Sequence, residues 1–81
     1  MNKICEYIIV KTKNSYAPIL KNGNNFSCHC GCVTGTFGGW NYRAVIDHAT
    51  KYSTSSNARR AVIRQTMLDY DDIEWSADTI D

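Results

Sequence analysis

The side chains of this chain best suited to chemistry sit together in Cys28-His29-Cys30-Gly31-Cys32, with Cys5 and His48 elsewhere. Thiolates and imidazoles are the ligands that zinc takes four at a time, and Zn–S bonds of about 2.3 Å bring neighbouring sulfurs to about 3.8 Å. Alternate residues of an extended strand lie about 6.6–7 Å apart. A C-x-C-x-C run therefore closes on one ion only where the strand breaks, and Gly31 is the sole residue that invites a break. The zinc alternative uses Cys5, Cys28, Cys30 and Cys32 as its ligand set. The usual C-x₂-C pairs are absent. The expected role of these thiols is as small apolar side chains in a thin core, and no cofactor is expected.

Nucleophilic catalysis needs a thiol or hydroxyl beside a base that a third group orients. His29 and His48 are the only bases of that kind, and strand alternation turns His29 away from the thiols next to it. The Gly-rich stretch GTFGG carries no lysine and opens no helix, so it is no phosphate loop. The expectation is that the protein is not an enzyme.

The element that organises the chain is Ser55–Tyr70, SSNARRAVIRQTMLDY, the clearest helical segment. Thr54, Ser55 and Ser56 offer oxygens to cap its first N–H groups. Ala58, Ala61, Val62 and Leu68 form a narrow apolar stripe of mostly small side chains suited to a sheet. Ile63, Met67 and Tyr70 form a second stripe at i, i+4, i+7. Arg59 and Arg60 fall towards the positive end of such a helix, and Asp69 and Asp71 near its negative end, each unfavourable by about 0.3–1 kcal/mol. Arg60 and Arg64 are a like-charged i, i+4 pair. Charges that do not serve the helix point to an acidic partner outside it, or to a solvated face.

Before this helix, Ile4–Thr12 reads as a strand, with Tyr7–Val10 unbroken apolar as in a strand buried on both faces. Tyr16–Lys21 follows as a short strand that Pro18 confines to an edge or a start. Asn22-Gly23 predicts a hairpin into Phe26–Thr34, and residues 35–39 predict a loop. Trp40–Tyr52 fits strand alternation (Tyr42, Ala44, Ile46) and a helical face (Tyr42, Val45, Ile46, Ala49); strand is the preferred reading, above all for Ala49–Ser53. DIEWSA reads as a half-buried strand with Ile73, Trp75 and Ala77 on one face. The whole predicts one domain over residues 1–81. Its expected fold class is α+β, an antiparallel β-sheet of three to five strands with one α-helix packed on one face.

Hydrophobic content of 43% and charge of 21% suit a folded chain, and no apolar run reaches the roughly 20 residues a membrane span needs. The start reads as a strand rather than a signal peptide, so a cytoplasmic location is expected. The net charge of +1 hides an asymmetry. Residues 1–68 hold all nine Lys and Arg against Glu6 and Asp47, and the last thirteen hold six acids and no base. Such a layout suits nucleic-acid affinity, an acidic protein partner, or a tail folded onto its own body.

Residues EYIIVKTKNSY, the Asn-Gly hairpin and Asp47–Ala61 (DHATKYSTSSNARRA) together resemble small phage-encoded accessory proteins of the anti-CRISPR and anti-defence type. The likeness is one of layout over about two-thirds of the chain, and the CHCGC strand departs from it. What the resemblance implies is a non-enzymatic inhibitor that occludes a host defence protein or a ribonucleoprotein complex such as a CRISPR effector. On that reading the partner-binding residues are Lys51, Arg59, Arg60, Arg64, Met67 and Tyr70, with Trp40 as further aromatic contact. The acidic tail acting as a nucleic-acid mimic is the other mode. A small nucleic-acid-binding regulator and a zinc-stabilised interaction module are the alternative functions.

Overall fold

The apolar run Tyr7–Val10 lies at the centre of the molecule with a helix on either side of it. The computed structural model describes residues 3–22, 25–29, 34–36 and 42–80. Strands β1 (Cys5–Lys11), β2 (Tyr16–Asn22), β3 (Asn25–His29), β4 (Thr34–Thr36) and β5 (Ile73–Thr79) form one sheet in the order β4-β3-β2-β1-β5. Helices α1 (Tyr42–His48) and α2 (Ser55–Thr66) and a 3-10 turn at Tyr70–Asp72 lie between β4 and β5.

The fold is α+β, with three corrections to the expected layout. The sheet is mixed, because β5 runs parallel to β1 while the other neighbours are antiparallel. Parallel neighbours need a crossover of a dozen or more residues, and the stretch holding both helices supplies it. Among the described residues there are two α-helices rather than one. The expected loop at residues 35–39 begins with strand residues, since β4 includes Gly35 and Thr36.

The register explains why β1 is apolar on consecutive residues. Tyr7 pairs with Leu20 and Trp75, and Ile9 with Pro18, so these share one face. There Tyr7 and Ile73 pack with Val62 of α2. Ile8 pairs with Ile19 and Val10 with Ala17 on the opposite face, and Val10, Ala17 and Ile19 pack with Val45, Ile46 and Ala49 of the α1 segment. Each side chain of this size taken out of water contributes about 1.5–3 kcal/mol. Ala58 and Ala61, both buried, let α2 lie close on its face.

Trp40–Tyr52 is therefore mainly helix and not strand. Tyr42, Val45, Ile46 and Ala49 follow the helical period onto the core, and Phe26 meets the Tyr42 ring at 4.8 Å. Of Ala49–Ser53 only Tyr52 pairs, exchanging two 2.8 Å backbone hydrogen bonds with Tyr16. This bridge marks where the chain crosses from the α1 face to the α2 face. It also explains Pro18, which stands inside β2 although its strand is not at the sheet edge. Tyr16 turns its N–H and C=O towards Tyr52, so Pro18, two residues on, turns its donorless nitrogen the same way. Among the described residues the β2–β3 register runs only as far as Ile19–Cys28, so Pro18 stands at the end of that pairing rather than within it.

A hairpin joins β2 to β3 as expected, but its turn comes one residue late: Asn22 is paired with Asn25, and the two residues between, Gly23 included, lie outside the described residues. So do Cys30 to Val33 of the expected third strand, and Trp40. The first turn is closed by Thr12, whose N–H donates to the Ser15 carbonyl at 2.8 Å.

Two phenols record the enclosure. Burial, with Cys5 beside it, pushes the Tyr7 phenol up to about 12. Tyr42 is also raised, by burial first and then by the hydrogen bond it donates to Asp78 Oδ2 at 3.0 Å and that carboxylate's charge. An unfolded tyrosine loses its proton near pH 10. Above that pH the unfolded state ionises before the fold does, so stability is intact below about pH 10 and falls as pH rises towards 12. Denaturant titrations at stepped pH should show this decline, at most about 1.4 kcal/mol per pH unit per phenol, and Tyr7→Phe should reduce it. A flat profile across that window would contradict the enclosed Tyr7.

Candidate partner-binding face

Helix α2 begins on Thr54, in extended backbone at φ −135° and ψ 158°, whose Oγ1 accepts from the Asn57 N–H at 3.0 Å. It ends at Thr66, sooner than the sequence predicts. Met67 turns left-handed at φ 62° and ψ 22°, and its N–H donates to the Ile63 carbonyl at 2.8 Å. The Thr66 hydroxyl donates to the Val62 carbonyl at 2.8 Å and accepts from the Leu68 N–H at 3.3 Å. Leu68 and Tyr70 are thus off the helix, although Leu68 still packs against the cluster of Tyr7, Val62 and Ile73.

The early stop changes the meaning of the charges. Arg64 falls in the last turn of α2, where a cation is favourable. Asp69, Asp71 and Asp72 belong to the start of the 3-10 turn, where the Asp69 N–H donates to Asp72 Oδ2 at 3.2 Å. Asp69 and Asp71 therefore do not oppose the α2 dipole in the way the sequence suggests.

Arg59 also has partners inside the molecule. Its Nη1 donates to the Tyr70 hydroxyl at 2.6 Å, and its guanidinium carbon lies 5.8 Å from the Tyr70 ring centroid and 5.5 Å from that of Trp75. Tyr70 and Trp75 stack at 5.2 Å and 29°, and Trp75 Nε1 donates to the Tyr70 carbonyl at 3.1 Å. A cation over such rings contributes about 0.5–2 kcal/mol. Trp75 continues inward to Tyr7 at 6.2 Å, so the surface arginine is tied through aromatics to the core.

Arg60 and Arg64 are exposed, and neither is paired with a carboxylate among the described residues. Ser56, Arg59, Arg60, Ile63 and Tyr70 line an open cleft of about 240 Å³. Tyr70 is 46% exposed, and Met67, at the end of α2, is 86% exposed.

Of the predicted partner-binding residues, Arg59, Arg60, Arg64, Met67 and Tyr70 belong to α2 and the turn after it. Lys51 does not join them. Its Nζ donates to the carbonyls of Ile46 at 2.6 Å, Ala49 at 2.7 Å and Asp47 at 3.2 Å, which makes it a cap on the end of α1. Ser56 and Trp75 were not foreseen in the site. Trp75 reaches Arg59 only through the return of β5 beside β1, for which no local pattern exists.

Of the four thiols only Cys5 and Cys28 belong to described residues, and these two do not come together. Cys5 is half-buried, and burial, then the nearby Asp72 charge, push its thiol up, which keeps it protonated and poorly nucleophilic. Glu6, Lys21 and Phe26 share one row across β1, β2 and β3, so Cys5 stands one residue to one side of that row and Cys28 two to the other. The two backbones are two strands and three residues apart, about 10 Å in each direction, too far for a shared ion. Among the described residues no three His, Cys, Asp or Glu gather as a metal group; Cys30 and Cys32 lie outside them. His48 is exposed at the end of α1, across the sheet from Cys5.

Among the described residues no helix is long and apolar enough to cross a membrane. Comparison with protein-family models, with curated proteins and with solved structures finds no match.

Proposed function

We propose that this protein is a non-enzymatic binding protein that grips an acidic surface of a larger partner with the outer side of α2 and the turn after it. Arg60 and Arg64 supply charge, Arg59 a braced guanidinium, and Met67 and Tyr70 adaptable and aromatic contact, a mixture common in interface cores. The phage-type resemblance makes the partner a host defence protein or ribonucleoprotein complex such as a CRISPR effector. The protein then acts as an inhibitor in the host cytoplasm.

The observation that carries this reading is Met67. It occupies a left-handed position where glycine is the ordinary choice, and its side chain contributes little to the core, being 86% exposed. A non-glycine residue there costs about 1 kcal/mol, and such local strain gathers at functional sites. Met67→Gly should therefore raise folding stability, by about 0.5–1 kcal/mol in a denaturant titration, and weaken partner capture at least about fivefold. A variant that is more stable and captures partner as well as the parent would remove Met67 from the interface.

A further inference from the structure

Resting on that reading, the cleft beside Arg59 has a chemistry narrow enough to say what fills it. Its lining residues are two arginines, Arg59 and Arg60, with Ser56, Ile63 and Tyr70. Arg59 is held in place before any ligand arrives, by the 2.6 Å bond to Tyr70 Oη and by the Trp75 face. Its Nε is buried without a hydrogen-bond partner, so the charge on this side chain is neither neutralised nor fully hydrogen-bonded within the fold. A preorganised guanidinium loses little side-chain freedom when it takes a planar anion in two-point contact. At about 240 Å³ and open, the cleft is below the roughly 300–1,000 Å³ of small-molecule sites, which suits a side chain delivered by a larger body.

We infer that this cleft is a socket for one carboxylate side chain of the partner, seated between Arg59 and Arg60 with an adjacent aliphatic residue laid on Ile63 and Tyr70. The occupant is a short acidic-aliphatic protein segment. Nucleic acid is disfavoured because Tyr70 already stacks on Trp75 and is bound to Arg59, and no second exposed ring among the lining residues continues a stacking platform.

The test uses the full chain with nitrogen-15 label and three probes. They are a blocked Gly-Glu-Leu-Glu-Gly peptide, its Gly-Gln-Leu-Gln-Gly counterpart, and inorganic phosphate. The acidic peptide should shift the Arg59 and Arg60 Nε–Hε signals and the amides around Tyr70, with a Kd of about 1 mM that weakens with salt. The glutamine peptide should not shift them at the same concentrations. Arg60→Gln should weaken the acidic peptide about tenfold, and Tyr70→Phe, which frees Arg59 while keeping the ring, about threefold; Lys13→Gln, an exposed change in the β1–β2 turn, should leave it unchanged. Equal shifts with the glutamine peptide, tighter binding of phosphate, or shifts confined to α1 or β3 would each overturn the socket. The two proposals fail separately. Peptide binding without any effect of Arg60 and Arg64 on partner capture defeats the partner face alone, whereas partner capture that depends on them with no peptide binding defeats the socket alone.

Discussion

Reversing Arg60 and Arg64 together, R60E/R64E, should weaken partner capture at least about a hundredfold, a loss of about 2.7 kcal/mol or more. Both side chains are exposed and, among the described residues, unpaired with acids, so in the free protein they have little to lose. Against an acidic surface each reversal replaces an attraction by a repulsion, and removing one charge from a buried interfacial pair alone costs about 2–5 kcal/mol. The effect on folding should stay within about 1 kcal/mol, or about 4–8 °C in melting temperature for a domain of this size. Most of it comes from placing an acid in the last turn of α2, which the helix dipole disfavours. Lys13→Glu, an exposed change in the β1–β2 turn, is the control and should leave capture intact. Undiminished capture by R60E/R64E, measured on protein with a cooperative melt, would remove the α2 face from the interaction.

Val45→Asp should be the most damaging single change to the fold, at about 3–5 kcal/mol. Val45 is fully buried with Val10, Ala17 and Ile19, and a lone carboxylate there has no compensating charge. Total stability for 81 residues is about 4–12 kcal/mol, so the variant should lose from about a quarter to all of it. The same substitution separates the two readings of this segment. Were Tyr42, Ala44 and Ile46 the inward residues of a strand, Val45 would face solvent and the change would be nearly neutral. Asp47→Ala, exposed on the same helix, should shift stability by no more than about 0.5 kcal/mol. Equal effects of the two changes would contradict the packing of α1 on the sheet.

The legible parts of this fold are those written in neighbouring residues. Tyr7–Val10 announces burial on both faces, Asn22-Gly23 announces the hairpin, and the oxygen of Thr54 marks the start of α2. DIEWSA gives the correct shared face for Ile73, Trp75 and Ala77 but carries no sign of strand direction, so the parallel pairing with β1 was invisible. The end of α2 was misjudged because its left-handed cap is a methionine, where the usual signal is glycine. Pro18 misled for a tertiary reason, since only the Tyr52 bridge shows that β2 exchanges partners at its start, next to Pro18. In the site, the cations and the exposed Met67 and Tyr70 were readable. The brace of Tyr70 and Trp75 around Arg59 was not, nor was the use of Lys51 as a cap, because each depends on elements far apart in the chain.

What Met67 touches in a lysate tests the partner face most directly. A photo-crosslinking amino acid placed at position 67, with a second protein carrying it at Lys13, should be irradiated in bacterial lysate and the products resolved by mass. Crosslinking to one larger protein from position 67, with none from position 13, is the predicted result. Capture that persists while position 67 stays uncrosslinked and position 13 reacts would contradict it.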